Sequence, residues 1–251
     1  VGKRGITLNL ETADGKENLH QLARKADFII ESFPPGYMDS LNLGYSALSK
    51  VNPRLILVSM TPFGQTGPYR DYKASDITIQ AMGGMMSITG QPDRPPVRLG
   101  EQQSYFVAGL WAALSALAAH HHREKTGEGQ HIDLSIRECV LCCLYMGSSF
   151  WQYAKHRETR MGNLILRGKA YQPEVWPCKD GYFAWRILGG IYGAKDWQAW
   201  TEWADSKGMG GALKEISNWA EWDLAQITQE QYNRWGQAVC DLAKLYTREE
   251  L

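Results

Sequence analysis

Apolar positions along this chain switch between two spacings, and the switches mark the elements. Residues 6–10 and 28–30 are short apolar runs of strand type, and a helix is expected between them over 16–25, opened by capping oxygens from Thr12 and Asp14. The rhythm repeats with a short helix over 45–50, an apolar strand over 55–60, a long loop, and a helix over 76–83. Residues 105–122 carry Phe106, Val107, Leu110, Trp111, Leu114, Leu117 and Ala118, apolar around most of the circumference, which predicts a buried helix. Its end, His120-His-His-Arg-Glu-Lys-Thr-Gly127, sets cations against the helix dipole and a glycine at the cap. A strand over 131–136 and an apolar helix over 137–153 follow. Alternation of this kind predicts an α/β fold, a parallel sheet with helices on its faces.

The pattern then changes. Residues 154–170 are basic and irregular, as a linker would be, although 164–166 can pair in a sheet. Residues 171–188 read as two strands around a Lys179-Asp180-Gly181 turn, and Trp197, Trp200, Trp203, Trp219, Trp222 and Trp235 follow, mostly at helical spacing. The expected organisation is one α/β domain over 1–153 and a smaller α+β domain over 171–251. The first residues enter a strand-like run at once, and 247–251 read as a helix just beginning. The expectation is a fragment of a longer polypeptide.

Composition narrows the function classes. The 27 lysines and arginines balance 27 aspartates and glutamates, so no net field draws the whole chain to nucleic acid or an anionic membrane. Five cysteines, three of them in Cys139-Val-Leu-Cys142-Cys143, suit a reducing compartment and core packing better than disulfides, and a cytoplasmic location is expected. His120, His121 and His122 point around a helix and cannot converge on one ion, so no metal site is expected. The tryptophan-rich tail reads as packing, since a base-stacking surface also needs a basic groove.

Residues 61–110 hold the densest glycine and proline clusters, Gly64-Gln-Thr-Gly67-Pro68-Tyr69 and Gly83-Gly84-Met85-Met86. Their spacing matches neither the dinucleotide fingerprint nor the phosphate loop. The first cluster, and the second within Gln80-Ala-Met-Gly-Gly-Met-Met-Ser-Ile-Thr-Gly90, stand in fixed order with Glu31-Ser-Phe-Pro-Pro-Gly36, Leu43-Gly44-Tyr45, Val51-Asn-Pro-Arg-Leu-Ile56, Pro95-Pro-Val-Arg98 and His122-Arg-Glu-Lys-Thr-Gly-Glu-Gly-Gln130. This order closely resembles the family III CoA-transferases, the group that includes formyl-CoA:oxalate and carnitine CoA-transferases and the α-methylacyl-CoA racemases. The resemblance runs nearly without gaps over residues 3–145 and more weakly over 171–181.

The resemblance implies a Rossmann-like large domain, incomplete in this chain, a small domain, and an interlocked dimer. It implies coenzyme A or an acyl-CoA as substrate, a carboxylic acid as acceptor, and no metal. Ser32, Phe33, Ser40 and Leu41 match positions that hold the CoA adenosine and phosphates, and Lys73 matches a lysine beside the CoA diphosphate. Ser75, Asp76 and Ile136 match neighbours of the pantetheine arm and the active site. The family's arginine is absent at Ser40. The nucleophilic aspartate of the family falls at Tyr105. That carboxylate attacks the thioester carbonyl, forms a mixed anhydride and then carries CoA as an enzyme thioester, whereas a phenol with a pKa near 10 is protonated at neutral pH. Glu101 is the nearest carboxylate upstream. The histidine of the racemases is Ser75 here, so both partners of that chemistry are missing.

Three readings follow. The first is a CoA-transferase subunit without the nucleophile, working beside a competent paralogue in a heteromeric enzyme, as in members acting on aryl-substituted succinates. The second is a self-sufficient acyl-CoA enzyme that uses Glu101 or Asp76. The third is a non-catalytic CoA-thioester binder or scaffold.

Overall fold

A computed structural model describes residues 2–216, 218–221 and 223–251, so Trp222 lies outside the described residues. The chain divides into two compact units, Val1–Arg160 and Met161–Leu251.

Unit 1 is built on a parallel sheet in the order β1-β2-β3, from Phe28–Glu31, Ile56–Thr61 and His131–Ser135. Ile56 pairs with Phe28 and Leu57 with His131, which makes β2 the central strand. Its burial on both faces explains why it is apolar without alternation. On one face Leu55 packs with Ala23 of α1 (Ala13–Ala23) and Leu48 of α3 (Tyr45–Val51). On the other, Ile56 and Val58 pack with Ile79 of α4 (Asp76–Met82), Met85 of α5 (Met85–Ile88), Ala108 and Ala112 of α6 (Gln103–Thr126), and Val140 of α7 (Ile136–Cys142). Two further short helices complete the unit, α2 (Tyr37–Ser40) and α8 (Tyr145–Ser149), the latter running into a π-helical turn over Phe150–Ala154.

Four expectations change. Residues 6–10 form no strand, because no neighbouring strand offers them a ladder; Asn9 instead accepts from Thr12, which caps α1 through the Gly15 N–H. The helix expected over 137–153 ends at Cys142, and the chain turns at Leu144, whose side chain packs over Gly84. Of the three clustered cysteines only Cys139 enters the core, its thiol pushed up to about 11 chiefly by burial, while Cys142 and Cys143 sit exposed at the end of α7.

The largest change concerns α6. It turns its small residues Ser104, Ala108, Ala112 and Ala119 inward at helical spacing, letting the helix lie close on the sheet. Leu110, Leu117 and Phe106 are 72%, 64% and 61% exposed. The C-terminal end is fixed by Arg123, buried, which pairs with Asp27 at 3.1 Å and donates to the carbonyls of Asp27 and Arg54.

Unit 2 holds two antiparallel pairs, β4 (Leu164–Arg167) with β5 (Ala170–Pro173) and β6 (Val175–Cys178) with β7 (Gly181–Ala184). The stretch over 154–170 is therefore partly strand. Helices α9 (Gly190–Ser206) and α10 (Gln229–Ala243) follow, α10 opened by a capping box between Thr228 and Gln231. The tryptophans pack as expected: Trp197 and Trp219 stack at 4.1 Å, and Trp235 meets both edge-on.

Candidate functional site

Parallel strands deliver their following loops to one edge of a sheet, and ligands of open α/β folds bind there. Here the residues after β1, β2 and β3 are Ser32-Phe33, the Pro62–Gly67 loop and Ile136. The middle loop is shaped by Gly64 and Gly67, whose φ values of 88° and 90° would strain any side chain. Asp133 of β3 anchors it by accepting from the Gln65 N–H at 2.9 Å, and Gln65 Oε1 accepts from the Gly36 N–H at 3.3 Å. The loops after β1 and β2 are thereby tied together. The Gly83-Gly84 pair has a different cause: a Cβ on Gly83 would stand 2.6 Å from Val140, so the glycine allows α4 and α7 to touch.

Ser32 and Phe33 are exposed on the loop after β1; the Phe33 N–H donates to Glu31 Oε2 at 2.7 Å, and its ring lies 5.0 Å from that of Tyr37. Ser40 ends α2 with its hydroxyl donating to the Tyr37 carbonyl, and Leu41 caps that helix. Lys73 is exposed in the loop before α4 and has no ion pair or hydrogen-bond partner among the described residues. Ser75 is the N-cap residue of α4, its hydroxyl 3.2 Å from that of Thr78. Ile136 is buried in the core at the start of α7, so it faces packing and not solvent.

Asp76 is the centre of a buried network at the start of α6. Its Oδ1 accepts from the N–H and hydroxyl of Ser104 at 3.0 and 2.5 Å, and its Oδ2 from Gln80 at 2.8 Å and from Arg98 at 3.1 Å. Gln80 Oε1 in turn accepts from the Leu99 N–H at 3.0 Å. The network joins α4, the loop over 91–102 and the first turn of α6. Tyr105, the next residue after Ser104, is 37% exposed on that turn. Glu101 lies just upstream, exposed, in the left-handed region at φ 59°, with its carbonyl accepting from Arg98 at 2.5 Å. Thus the fold brings Asp76, Glu101 and Tyr105 to one end of α6.

Sequence reasoning missed Arg98, Gln80 and Ser104 as supports of that end. Arg98 stands in the Pro95-Pro-Val-Arg98 motif, but nothing local shows which carboxylate it reaches. It also missed a polar crevice of about 240 Å³ beside β1, lined by Glu31, Asp39, Tyr45, Ser59, Gln65 and His131. There His131 Nε2 lies 3.0 Å from the Ser59 hydroxyl and stacks on Tyr45, whose hydroxyl is pushed up by burial and then by Glu128. Among the described residues no three His, Cys, Asp or Glu side chains converge as a metal set, and no helix is long and apolar enough to cross a membrane.

Comparison with known proteins gives a consistent result. A family model described as CoA-transferase family III matches residues 1–246. The chain is 34% identical over 254 residues to the succinyl-CoA:(R)-benzylsuccinate CoA-transferase subunit BbsE of Thauera aromatica, covering 99% of this chain and 58% of that protein. It is 38% identical over 183 residues to the succinyl-CoA–L-malate CoA-transferase beta subunit of Chloroflexus aurantiacus, covering 72% and 43%. A crystal structure of a CaiB/BaiF family protein from Brucella suis superposes with a TM-score of 0.74 at 32% identity, over 99% of this chain and 62% of that one. The chain spans about half the length of the curated relatives it matches.

Proposed function

The chain belongs to CoA-transferase family III, and from that premise we infer that it takes part in CoA transfer from an acyl-CoA to a carboxylic acid as the subunit lacking the nucleophile. In this reading the CoA lies along the C-terminal edge of the β1-β2-β3 sheet. Ser32, Phe33, Ser40 and Leu41 face its adenosine end, Lys73 serves as a point charge for the diphosphate, and Ser75 and Asp76 border the pantetheine arm, with Ile136 a buried support at the start of α7. A partner subunit supplies the aspartate, in an interlocked heterodimer located in the cytoplasm.

The observation that carries this reading is the state of the α6 N-terminus. By the order of motifs Tyr105 falls at the expected place of the family's aspartate, and the Asp76–Arg98–Ser104–Gln80 network around that turn is complete. Asp76 itself is a poor substitute nucleophile, because both of its oxygens are already engaged by donors, Ser104 on one and Gln80 and Arg98 on the other. That disfavours self-sufficient catalysis through Asp76. Two relatives carry the word subunit in their names, which supports a heteromeric arrangement.

Two experiments test it. Thioester exchange from succinyl-CoA to candidate acids is followed with the chain alone and with an aspartate-bearing paralogue; activity is expected only in the mixture, and turnover by the lone chain overturns the reading. In Tyr105→Asp, addition of acyl-CoA should yield a hydroxylamine-sensitive enzyme–CoA adduct visible by mass spectrometry. A folded variant that forms no adduct would mean the pocket has diverged beyond the nucleophile.

A further inference from the structure

The segment that carries Ser32, Phe33, Ser40 and Leu41 has little to hold its shape by itself. Its helix α2 is four residues long, far too short to be stable alone, and no side chain of the segment caps it. Gly36, at the bend between the two pairs, stands at φ 78°, where glycine costs little. Among the described residues the one side-chain hydrogen bond to the start of α2 comes from outside: Gln65 Oε1, 29 positions away, accepts from the Gly36 N–H at 3.3 Å.

Gln65 in turn owes its place to Asp133. The loop over 62–67 bends through Gly64 and Gly67 at positive φ, and both oxygens of Asp133 accept from the Gln65 N–H, at 2.9 and 3.0 Å. Gly64 lies against the same carboxylate, since a Cβ there would stand 3.5 Å from Asp133 Oδ1. Asp133 itself is fixed by the ladder, in β3 opposite Ser59 of the central strand. A chain of contacts therefore runs from the sheet through Asp133 and Gln65 to the bend at Gly36.

We propose that Asp133 and Gln65 are positioning residues for coenzyme A, holding the adenosine-facing segment in place for the ligand. The proposal rests on the CoA placement inferred above and goes beyond it, because neither residue is among the positions that face the ligand there. The two bonds act in series, so breaking either one releases the same segment, and breaking both releases nothing more. A staple with a merely structural role would lower stability and leave the affinity for CoA unchanged.

Coenzyme A, and separately the adenosine bisphosphate that forms its nucleotide end, are titrated into the purified protein by calorimetry. Gln65→Ala and Asp133→Ala should each weaken CoA about fivefold, the equivalent of one hydrogen bond, and the double variant no more than either alone. The nucleotide fragment should lose the same factor. Gln65→Met, which keeps the length and loses the acceptor, should match Gln65→Ala. Asp133→Asn keeps an oxygen for the Gln65 N–H and should stay within about twofold of the parent. Neither side chain belongs to the hydrophobic clusters of unit 1, so melting temperatures should stay within about 3 °C of the parent. Unchanged CoA affinity in the folded variants overturns the inference and leaves the CoA placement standing, as do losses that add in the double variant. A parent that binds no CoA at millimolar concentration overturns the placement itself, and the inference with it.

Discussion

Unit 2 buries its largest side chains against one another, whereas unit 1 leaves its longest helix with leucines in water. In unit 2 Trp197, Trp219 and Trp235 form a mutual cluster, and their indole N–H groups donate to the Leu213 carbonyl, the Leu188 carbonyl and Glu215. Each of these three rings has both an apolar neighbour and a polar outlet, the arrangement that lets tryptophan be core. In unit 1 the inward side of α6 is alanine and serine, and Phe106, Leu110 and Leu117 point outward. Large apolar side chains exposed along one helix are of the kind that interaction faces use. One unit closes its own core; the other places its polar network inside and its bulk outside.

That contrast can be broken by substitution. Trp235→Ala should have the largest effect, about 3–5 kcal/mol lost from unit 2, because the residue is fully buried and its removal opens a cavity between two other indoles. Denaturant unfolding followed by far-UV circular dichroism measures it, and a loss near zero would mean the cluster is not a closed core. Asp76→Ala should cost unit 1 about 2–3 kcal/mol, since it strips Ser104, Gln80 and Arg98 of their shared acceptor. The same measurement checks it.

Leu110→Glu should leave unit 1 within about 0.5 kcal/mol of the parent, as exposed helix positions do. Sedimentation velocity should show weakened association with partner subunits if the outward face of α6 is an interface. Unfolding of the variant would contradict an outward Leu110. The smallest effect is expected at Asp180, held below the usual carboxylate range chiefly by the Arg248 N–H. A depressed folded-state pKa stabilises above the unfolded value of about 3.9 and is lost as pH falls below it. The difference in melting temperature between the parent and Asp180→Asn should therefore shrink below about pH 4.

Much of the fold could be read from spacing alone. The strands over 55–60 and 131–136, the capping role of Thr12 and the turn at Lys179-Asp180-Gly181 are local matters of period, capping and turn chemistry, and the structure keeps them within a residue or two, although the helix after Thr12 begins at Ala13 and not at 16. The run over 6–10 failed because a strand exists only beside another strand, and a pattern in one segment carries no information about the neighbour. The expectation that the family's nucleophile position falls at Tyr105 rests on the order of motifs alone. The polar network beside it could not be read that way, because Arg98 and Asp76 stand 22 positions apart and meet by the folding of a loop.

The sequence by itself determined that this chain is α/β and that its Gly64–Gly67 cluster shapes a loop. Those are properties of residue identity and short-range period. Only the tertiary structure decided which side of α6 is inside. A helix apolar all round has no preferred face until a sheet selects the side that can approach closest, and here alanines approached where leucines could not.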